Sequence, residues 1–229
     1  MLDLKLKDLI YIERGALTKS ECDSLINEYD NRSLEAIGEQ CLHAITNEMT
    51  KSTFKRVELI PNTDTFNLIH SKKENIIKNW ITHLESFGCF HTNALKMSLR
   101  YSHTYRLMKY DVGGWIHPHV DWDEMIHGSC TFALNEEYEG GDFMFWNGNH
   151  KVKLNRGDVM IFPADPFWVH EVSEITKGVR YSVNSFIQSL PDKECKQIQN
   201  IIWNNGWSEY TKNEYYYPSC EENIVEQGE

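Results

Sequence analysis

Long apolar segments are missing from this chain of 229 residues: no run of 18 or more apolar residues exists, so no membrane-spanning helix is predicted. The first ten residues, MLDLKLKDLI, carry charges throughout and contain no apolar core of a secretion signal. Basic patches are also missing, and the formal net charge is −11. Because nucleic acids and anionic membranes attract basic surfaces, we expect neither as a partner, and we expect a cytoplasmic protein.

Closely spaced cysteine pairs are absent as well, since none of the six cysteines forms a C-x-x-C motif. Their scattered spacing favours reduced thiols. Aromatic residues, by contrast, make up 12% of the chain and include 7 tryptophans. Disordered chains are poor in aromatic residues, so the composition predicts a folded protein with a sizeable core.

The first 95 residues are predicted to form a mainly helical support region. A short strand is predicted at residues 10–12, and Thr18 and Glu21 form a capping box that starts a helix. A second helix is predicted over residues 72–87, because apolar residues recur on one face and Gly88 follows as a stop signal.

After residue 96, short β-rich segments alternate with turn residues. Eight of them are predicted strands, and their spacing indicates a jelly roll. They cover residues 105–110, 117–121, 129–134, 142–146, 151–154, 158–162, 168–172 and 180–187. Residues 96–190 would form the core of one integrated domain, and residues 191–229 a helix near 192–204 with an acidic tail.

Three residues of the β-rich region form a candidate metal site. His119 and Asp121 are two residues apart, so in a strand their side chains share one face, roughly 6–7 Å apart along the chain. His170 lies in a later predicted strand and can supply a third ligand. Two histidines and one carboxylate form the facial triad of non-haem Fe(II) sites. Arg180 follows on the last strand, where its guanidinium could hold a carboxylate with two hydrogen bonds.

This compound pattern resembles the 2-oxoglutarate/Fe(II)-dependent dioxygenases, and within them the prolyl 4-hydroxylase-like group. Residues 110–121 (YDVGGWIHPHVD) are similar to the group's Y-x-x-G-x-x-x-x-P-H-x-D motif. Residues 139–143 (EGGDF) and 157–163 (GDVMIFP) are similar to its E-G-G-E/D turn and its G-D-x-x-x-F-P strand. His170 and Arg180 match its second histidine and its basic anchor, and the resemblance covers roughly residues 100–190.

The resemblance implies a double-stranded β-helix, a mainly β fold with N-terminal helices packed on it. It implies that His119, Asp121 and His170 bind Fe(II), and that Arg180 binds the distal carboxylate of the co-substrate 2-oxoglutarate. Dioxygen would be the second co-substrate, with ascorbate as an optional reductant. The reaction would hydroxylate a C–H bond and release succinate and CO2.

One position departs from the family pattern. Relatives often carry a tyrosine on the third core strand that helps to bind the distal carboxylate, and Ala133 stands at the matching position. The hydroxyls of Ser129, Thr131 and Ser182 are candidates to replace it. Tyr110, which matches the signature tyrosine, is a further candidate for bonding to the co-substrate.

Aromatic side chains often line substrate clefts, so the tryptophans next to these motifs are candidates for the substrate site, with core packing as the alternative. They are Trp115, Trp122, Trp146 and Trp168. The loop from Trp122 to Gly128 follows Asp121 and is also predicted to contact the substrate.

The expected substrate is a prolyl residue of a protein or peptide, because the subgroup resemblance implies it. A free amino acid or small metabolite is the alternative. A non-catalytic jelly-roll binding module is a third hypothesis, which the presence of all three ligand positions and of the basic anchor disfavours. The sequence leaves the oligomeric state open.

Overall fold

The computed structural model describes residues 3–102, 104–121, 125–191 and 193–197. Met1–Ser189 form one compact unit, and a second unit begins at Leu190. Residues 193–197 are helical, and the rest of the helix predicted near 192–204 lies outside the described residues. None of the helices in the described ranges is long and apolar enough to cross a bilayer.

The α-helices described for the first unit all precede residue 100. They are α1 (Lys19–Asn31), α2 (Asp64–Glu85) and α3 (Thr92–Ser98), with short 3-10 helices at Leu6–Leu9 and Ser33–Glu35. The predicted capping box is confirmed: Thr18 Oγ1 accepts from Glu21 N at 3.3 Å, and Glu21 Oε2 accepts from Thr18 N at 2.6 Å. Helix α2 begins earlier than predicted, because the hydroxyl of Thr63 caps it by accepting from the backbone N–H of Phe66.

The strands are short, as predicted, but more numerous. They are β1 (Tyr11–Glu13), β2 (Ile37–Leu42), β3 (Met49–Glu58), β4 (Tyr101–Ser102), β5 (Arg106–Tyr110), β6 (Ile116–His119), β7 (Ile126–Ala133), β8 (Tyr138–Gly140), β9 (Phe143–Phe145), β10 (His150–Val152), β11 (Val159–Pro163), β12 (His170–Val172), β13 (Ile175–Gly178) and β14 (Arg180–Gln188). Each of the eight predicted segments in the β-rich region overlaps one of them.

Two antiparallel sheets form the double-stranded β-helix. The larger has eight strands in the order β1-β11-β7-β14-β5-β3-β2, with β4 paired to β14. The smaller has four strands in the order β10-β9-β12-β6, and β8 pairs with β13 separately. Phe162 of the larger sheet contacts Phe143 and Phe145 of the smaller, with ring centroids 5.8 and 5.0 Å apart, so the two sheets pack face to face.

The larger sheet has a core on each side. Side chains on one face of β7 and β14, such as Phe132 and Val183, pack with the buried stripe of α2 that includes Trp80. Alternate residues such as Ala133 and Met160 face the smaller sheet. Each fully buried large apolar side chain contributes about 1.5–3 kcal/mol to stability. The helices therefore cover one face of the larger sheet, and the other face, which points toward the smaller sheet, contributes to the site.

The N-terminal region differs from the mainly helical prediction, because residues 37–58 form the β2–β3 hairpin at the edge of the larger sheet. Strand β3 pairs with β5, with Arg56 opposite Met108 and Glu58 opposite Arg106. Both faces of the hairpin carry polar residues, so its sequence lacks the alternation of apolar and polar side chains that marks a half-buried strand. The hairpin is a strand pair because β3 forms backbone hydrogen bonds with β5, and the local sequence pattern does not indicate this pairing.

The E-G-G turn predicted from the sequence has a steric role. Gly140 adopts a φ of +76°, and a Cβ atom there would collide with the carbonyl oxygen of Glu174. Gly140 also pairs with Ile175 between β8 and β13. The close approach of these two strands therefore requires glycine at this position.

Candidate metal centre

Neighbouring strands of the smaller sheet bring His119, Asp121 and His170 together. His119 is the last residue of β6 and His170 the first of β12, and they are direct partners in the antiparallel pairing. Asp121 lies two residues beyond the end of β6, so the strand is shorter than the predicted 117–121. One potential ligand atom from each residue lies within 4.8 Å of the others.

The carboxylate of Asp121 lies between the two imidazoles. Its Oδ1 is 3.4 Å from His119 Nε2, and its Oδ2 is 3.3 Å from His170 Nε2. The two imidazole rings have centroids 4.2 Å apart. Two imidazole nitrogens and one carboxylate oxygen converging in this way are the donor set of the facial triad, and this set fits Fe(II).

Backbone carbonyls fix the orientation of both imidazoles. His119 Nδ1 donates to the carbonyl of His117, and His170 Nδ1 donates to the carbonyl of Trp168, each at 2.9 Å. A carbonyl only accepts, so each Nδ1 carries the hydrogen and each Nε2 keeps its lone pair when the ring is neutral. This arrangement is typical of metal-binding histidines, whose second nitrogen is held by a fixed acceptor.

The electrostatics of the three residues favour an ionised carboxylate. Burial acts to raise the pKa of Asp121, but the charge of His170 and hydrogen bonds from both imidazoles hold that pKa well below its usual value. Burial and the neighbouring His170 lower the pKa of His119. Burial acts to lower the pKa of His170, but the charge of Asp121 and the hydrogen bonds to Asp121 and to the Trp168 carbonyl together raise that pKa. Asp121 is therefore ready to act as an anionic ligand near neutral pH.

A cavity of about 430 Å³ adjoins the three residues. Its apolar wall comes from both sheets and includes Met108, Phe143 and Val172. Its other wall is polar. The cavity gives a small organic group access to the triad.

Arg180 is a buried cation next to this cavity. It is 4% exposed, and its described partners are the Ser182 hydroxyl at 3.2 Å and the Tyr110 ring, whose centroid is 5.0 Å from Cζ. Within the described ranges, no carboxylate lies within ion-pair distance of it. A buried charge without a counter-charge is costly, so this guanidinium suits an anionic ligand. Arg180 lines a second cavity of about 270 Å³, and Phe143 borders both cavities.

The candidate hydroxyls differ in their surroundings. Ser182 contacts Arg180 and is the direct cross-strand partner of Ala133, so it lies beside the position of the absent tyrosine. Thr131 Oγ1 is buried without a hydrogen-bond partner, and Ser129 is also buried. Burial raises the pKa of Tyr110, so its phenol remains a hydrogen-bond donor at neutral pH.

Three of the four tryptophans proposed for the substrate site are among the described residues. Trp168 is 2% exposed and packs in the core with Phe162, and the indole of Trp146 donates to the Phe167 carbonyl at 2.7 Å. Trp115 packs edge-on against His117, with centroids 5.7 Å apart. None of these three is among the described residues that line the triad cavity. Trp122, like residues 123 and 124 of the predicted substrate loop, lies outside the described residues.

The sequence interpretation missed the polar wall of the cavity. This wall is formed by Glu39, Arg56, Arg106 and Asn184 together with the ring of Phe186. None of them belongs to a motif, and two come from the hairpin, which lies in the region predicted to be mainly helical. No local pattern in the hairpin indicates them, because both of its faces carry polar residues.

Comparison with known proteins agrees with this geometry. Residues 105–188 match the model of the 2OG-Fe(II) oxygenase superfamily. This segment, which is 84 of the 229 residues, is similar to members of that superfamily. The match, together with the His119–Asp121–His170 triad, implies Fe(II) as cofactor and 2-oxoglutarate and dioxygen as co-substrates. It also supports the resemblance to the prolyl 4-hydroxylase-like group.

The oxygenase segment also has curated relatives. A PKHD-type hydroxylase from Acinetobacter baumannii is 44% identical over 73 residues, which are 30% of this chain and 31% of that relative. The chain thus matches about a third of the length of the curated relatives.

Solved structures share the fold at low sequence identity. The viral collagen prolyl hydroxylase of Paramecium bursaria Chlorella virus-1 has a TM-score of 0.59 and 16% identity, covering 83% of this chain and 99% of its own. A prolyl hydroxylase from Trichoplax adhaerens, in complex with a peptide fragment of hypoxia inducible factor, has a TM-score of 0.59 and 14% identity. It covers 83% of this chain and 87% of its own. The double-stranded β-helix of this chain is therefore the fold of known prolyl hydroxylases.

Proposed function

We propose that this protein is an Fe(II)- and 2-oxoglutarate-dependent dioxygenase that hydroxylates a C–H bond. The observation that carries the proposal is the convergence of His119, Asp121 and His170 inside the segment that matches the oxygenase superfamily. The fixed Nδ1 hydrogen bonds and the ionised carboxylate support a metal role for these three residues over a purely structural one.

Each residue of the site has a distinct task in this proposal. His119, Asp121 and His170 hold Fe(II), and Arg180 with Ser182 binds the distal carboxylate of 2-oxoglutarate. Tyr110 packs against the guanidinium of Arg180 and restricts its orientation. When bound, Fe(II), 2-oxoglutarate and dioxygen supply the oxidation of a C–H bond, with succinate and CO2 as co-products. The apolar wall of the cavity limits the access of water to the reacting carbon.

We propose a prolyl residue of a protein or peptide as the substrate. The fold neighbours are named prolyl hydroxylases, which supports this class, and the Trichoplax neighbour was solved with a peptide bound. The cavity beside the triad has a volume suited to one small ring and its flanking atoms.

Succinate release from 2-oxoglutarate tests this function. The purified protein is supplied with Fe(II) and dioxygen and is assayed alone, with prolyl peptides, with free proline and with methylated oligonucleotides. We expect prolyl peptides to stimulate succinate release and a hydroxylated product to form in equal amount. His170→Ala should abolish both, whereas Lys177→Ala, at an exposed surface residue, should not. An active His170→Ala variant would contradict the metal assignment, and stimulation by free proline alone would identify a small-molecule hydroxylase.

A further inference from the structure

The polar wall of the triad cavity contains an arginine pair that shares one carboxylate. Arg106 Nη1 donates to both oxygens of Glu39, at 3.1 and 3.0 Å, and Arg56 Nε contacts Glu39 Oε1 without hydrogen-bond alignment. These three side chains are only 14–20% exposed. Since one carboxylate faces two guanidinium groups, this wall carries excess positive charge.

The remaining hydrogen-bonding capacity of this wall also favours an anion. Arg56 Nη1 pairs with Glu58 at 2.8 Å, but Glu58 is half exposed and lines no part of the cavity. Both oxygens of Glu39 are occupied by the arginines, so the unused groups belong mainly to the guanidiniums. Arg106 Nε is buried without a hydrogen-bond partner, although the guanidinium packs over the Phe186 ring at 4.1 Å. A buried donor without a partner is costly, and a bound acceptor would satisfy it.

An unused acceptor lies next to this donor. Asn184 is the direct cross-strand partner of Arg106, and its Oδ1 is also buried without a hydrogen-bond partner. A donor beside an acceptor matches a carboxylate that lies close to an N–H group. Amino acids and peptides present that combination.

This arginine pair is separate from the expected 2-oxoglutarate anchor. In the β14–β5 pairing, Arg180 lies opposite Tyr110, whereas Asn184 lies opposite Arg106. The two positions are four residues apart along both strands, which is roughly 13 Å. Arg180 lines the cavity of about 270 Å³, whereas Arg106 and Arg56 line the cavity beside the triad, so the pair is available to a second anion.

We propose that Arg106 and Arg56 bind a carboxylate that the substrate carries next to the carbon to be hydroxylated. This inference rests on the proposed function and makes it more specific. The carboxylate comes either from an acidic residue beside the target proline in a peptide, or from the main-chain carboxyl group of a free or C-terminal residue. Both sources present a carboxylate to the guanidiniums. Pairs of matched substrates distinguish one source from the other.

Two pairs of substrates test the inference. The first pair is acetyl-Gly-Pro-Glu-Gly-amide and its glutamine counterpart, and the second is N-acetylproline and N-acetylprolinamide. We expect the acidic member of one pair to exceed its amide by at least about tenfold in kcat/KM, because charge-assisted hydrogen bonds are lost in the amide. The pair that shows the difference identifies the source of the carboxylate. Each compound is also titrated into protein carrying Mn(II) and 2-oxoglutarate, so that the preference is measured even without turnover.

Substitutions then test which residues cause the preference for the acidic substrate over its amide. Arg106→Gln should reduce the ratio of acidic to amide substrate to about one, and Arg106→Lys, which keeps the charge, should retain part of it. Arg156→Gln is the matched control, because Arg156 pairs with Glu137 and Asp23 outside the cavity, and the ratio should stay at the wild-type value. Because the ratio is measured within one variant, a change in the amount of folded protein does not alter it.

Equal turnover and equal affinity of both members of both pairs would overturn the inference, as would an unchanged ratio in Arg106→Gln. Succinate release without any peptide reports on the proposed function separately. If that release occurs and the acidic preference is absent, the result supports the proposed dioxygenase function and contradicts the proposed carboxylate site. If Fe(II) supports no 2-oxoglutarate consumption, the proposed function itself fails.

Discussion

The surroundings of Arg180 are those expected of a binding site for an anionic ligand. Its buried guanidinium contacts a hydroxyl and an aromatic ring, and the distal carboxylate of 2-oxoglutarate would supply the missing counter-charge. Losing one partner of such a buried pair costs about 2–5 kcal/mol. We therefore expect Arg180→Ala to raise the KM for 2-oxoglutarate by orders of magnitude, as measured by succinate release.

Metal binding provides the control for this substitution. Arg180 is not one of the three clustered ligand candidates, so Mn(II) affinity should change little in Arg180→Ala. Arg180→Lys should have an intermediate KM, because an ammonium keeps the charge but loses the two-pronged geometry. A KM that does not change in Arg180→Ala would assign the anchor to another residue.

Asp158 joins the start of β11 to the segment after β1. Its carboxylate accepts from the backbone N–H of Gly15 at 3.0 Å and of Asn155 at 2.7 Å, and it pairs with Arg14. Asp158→Ala should lower the free energy of unfolding by roughly 2–4 kcal/mol, because it leaves two backbone donors and a guanidinium without their acceptor. Urea denaturation followed by circular dichroism measures this change.

Asp142→Ala is the comparison for that measurement. Asp142 forms an exposed ion pair with Lys151 at 3.3 Å, and exposed pairs contribute about 0–1 kcal/mol. A loss in Asp158→Ala no larger than the loss in Asp142→Ala would show that the buried carboxylate does not hold these segments together.

Helices and strands that are specified by residues close together in the chain could be predicted from the sequence. Those that depend on pairing with a distant segment could not. The start of α1 was predictable because the groups of its capping box are three residues apart. The β-rich segments were predictable because turn residues bound them. The β2–β3 hairpin was not predictable, because β3 is held by β5, which is some fifty residues away along the chain. The end of β6 was misplaced by two residues, since no side chain marks it.

A bound metal should stabilise the entire fold. The candidate ligands come from β6, from the segment after it and from β12, so a metal would connect parts of the chain that are distant in sequence. At a hundredfold excess over Kd, binding contributes about 2.7 kcal/mol, which is roughly 5–10 °C in Tm for a chain of this size. We expect Mn(II), which stands in for Fe(II) without oxidation, to raise the Tm of the wild type by this amount.

Chelation and substitution should reverse the shift. Excess EDTA should return the Tm to its metal-free value, and His119→Ala should show little response to Mn(II) while keeping its secondary structure by circular dichroism. An equal shift in the wild type and in His119→Ala would place the metal elsewhere.

The candidate site was predictable only in part, because some of its residues belong to a sequence motif and others meet only through sheet pairing. His119, Asp121 and His170 could be found because the chemistry of a facial triad restricts residue types and spacing. The arginine pair could not, because Arg56 and Arg106 meet through sheet pairing, and no spacing rule connects them. The tryptophans were weak candidates, since an indole is equally suited to a core, and Trp168 lies there.

The β2–β3 hairpin also contains a thiol. Cys41 lines the triad cavity, and its Sγ lies 3.4 Å from His117 Nε2. Burial raises its pKa to about 11, so that roughly one thiol in ten thousand is ionised at pH 7. Covalent labelling with iodoacetamide requires the thiolate, so Cys41 should react far more slowly than the exposed Cys89. Its alkylation rate, followed by mass spectrometry, would then measure how often the hairpin moves away from the sheet. A compound that fills the cavity should slow that rate further, whereas labelling of Cys41 as fast as Cys89 would mean that the hairpin does not shield the thiol.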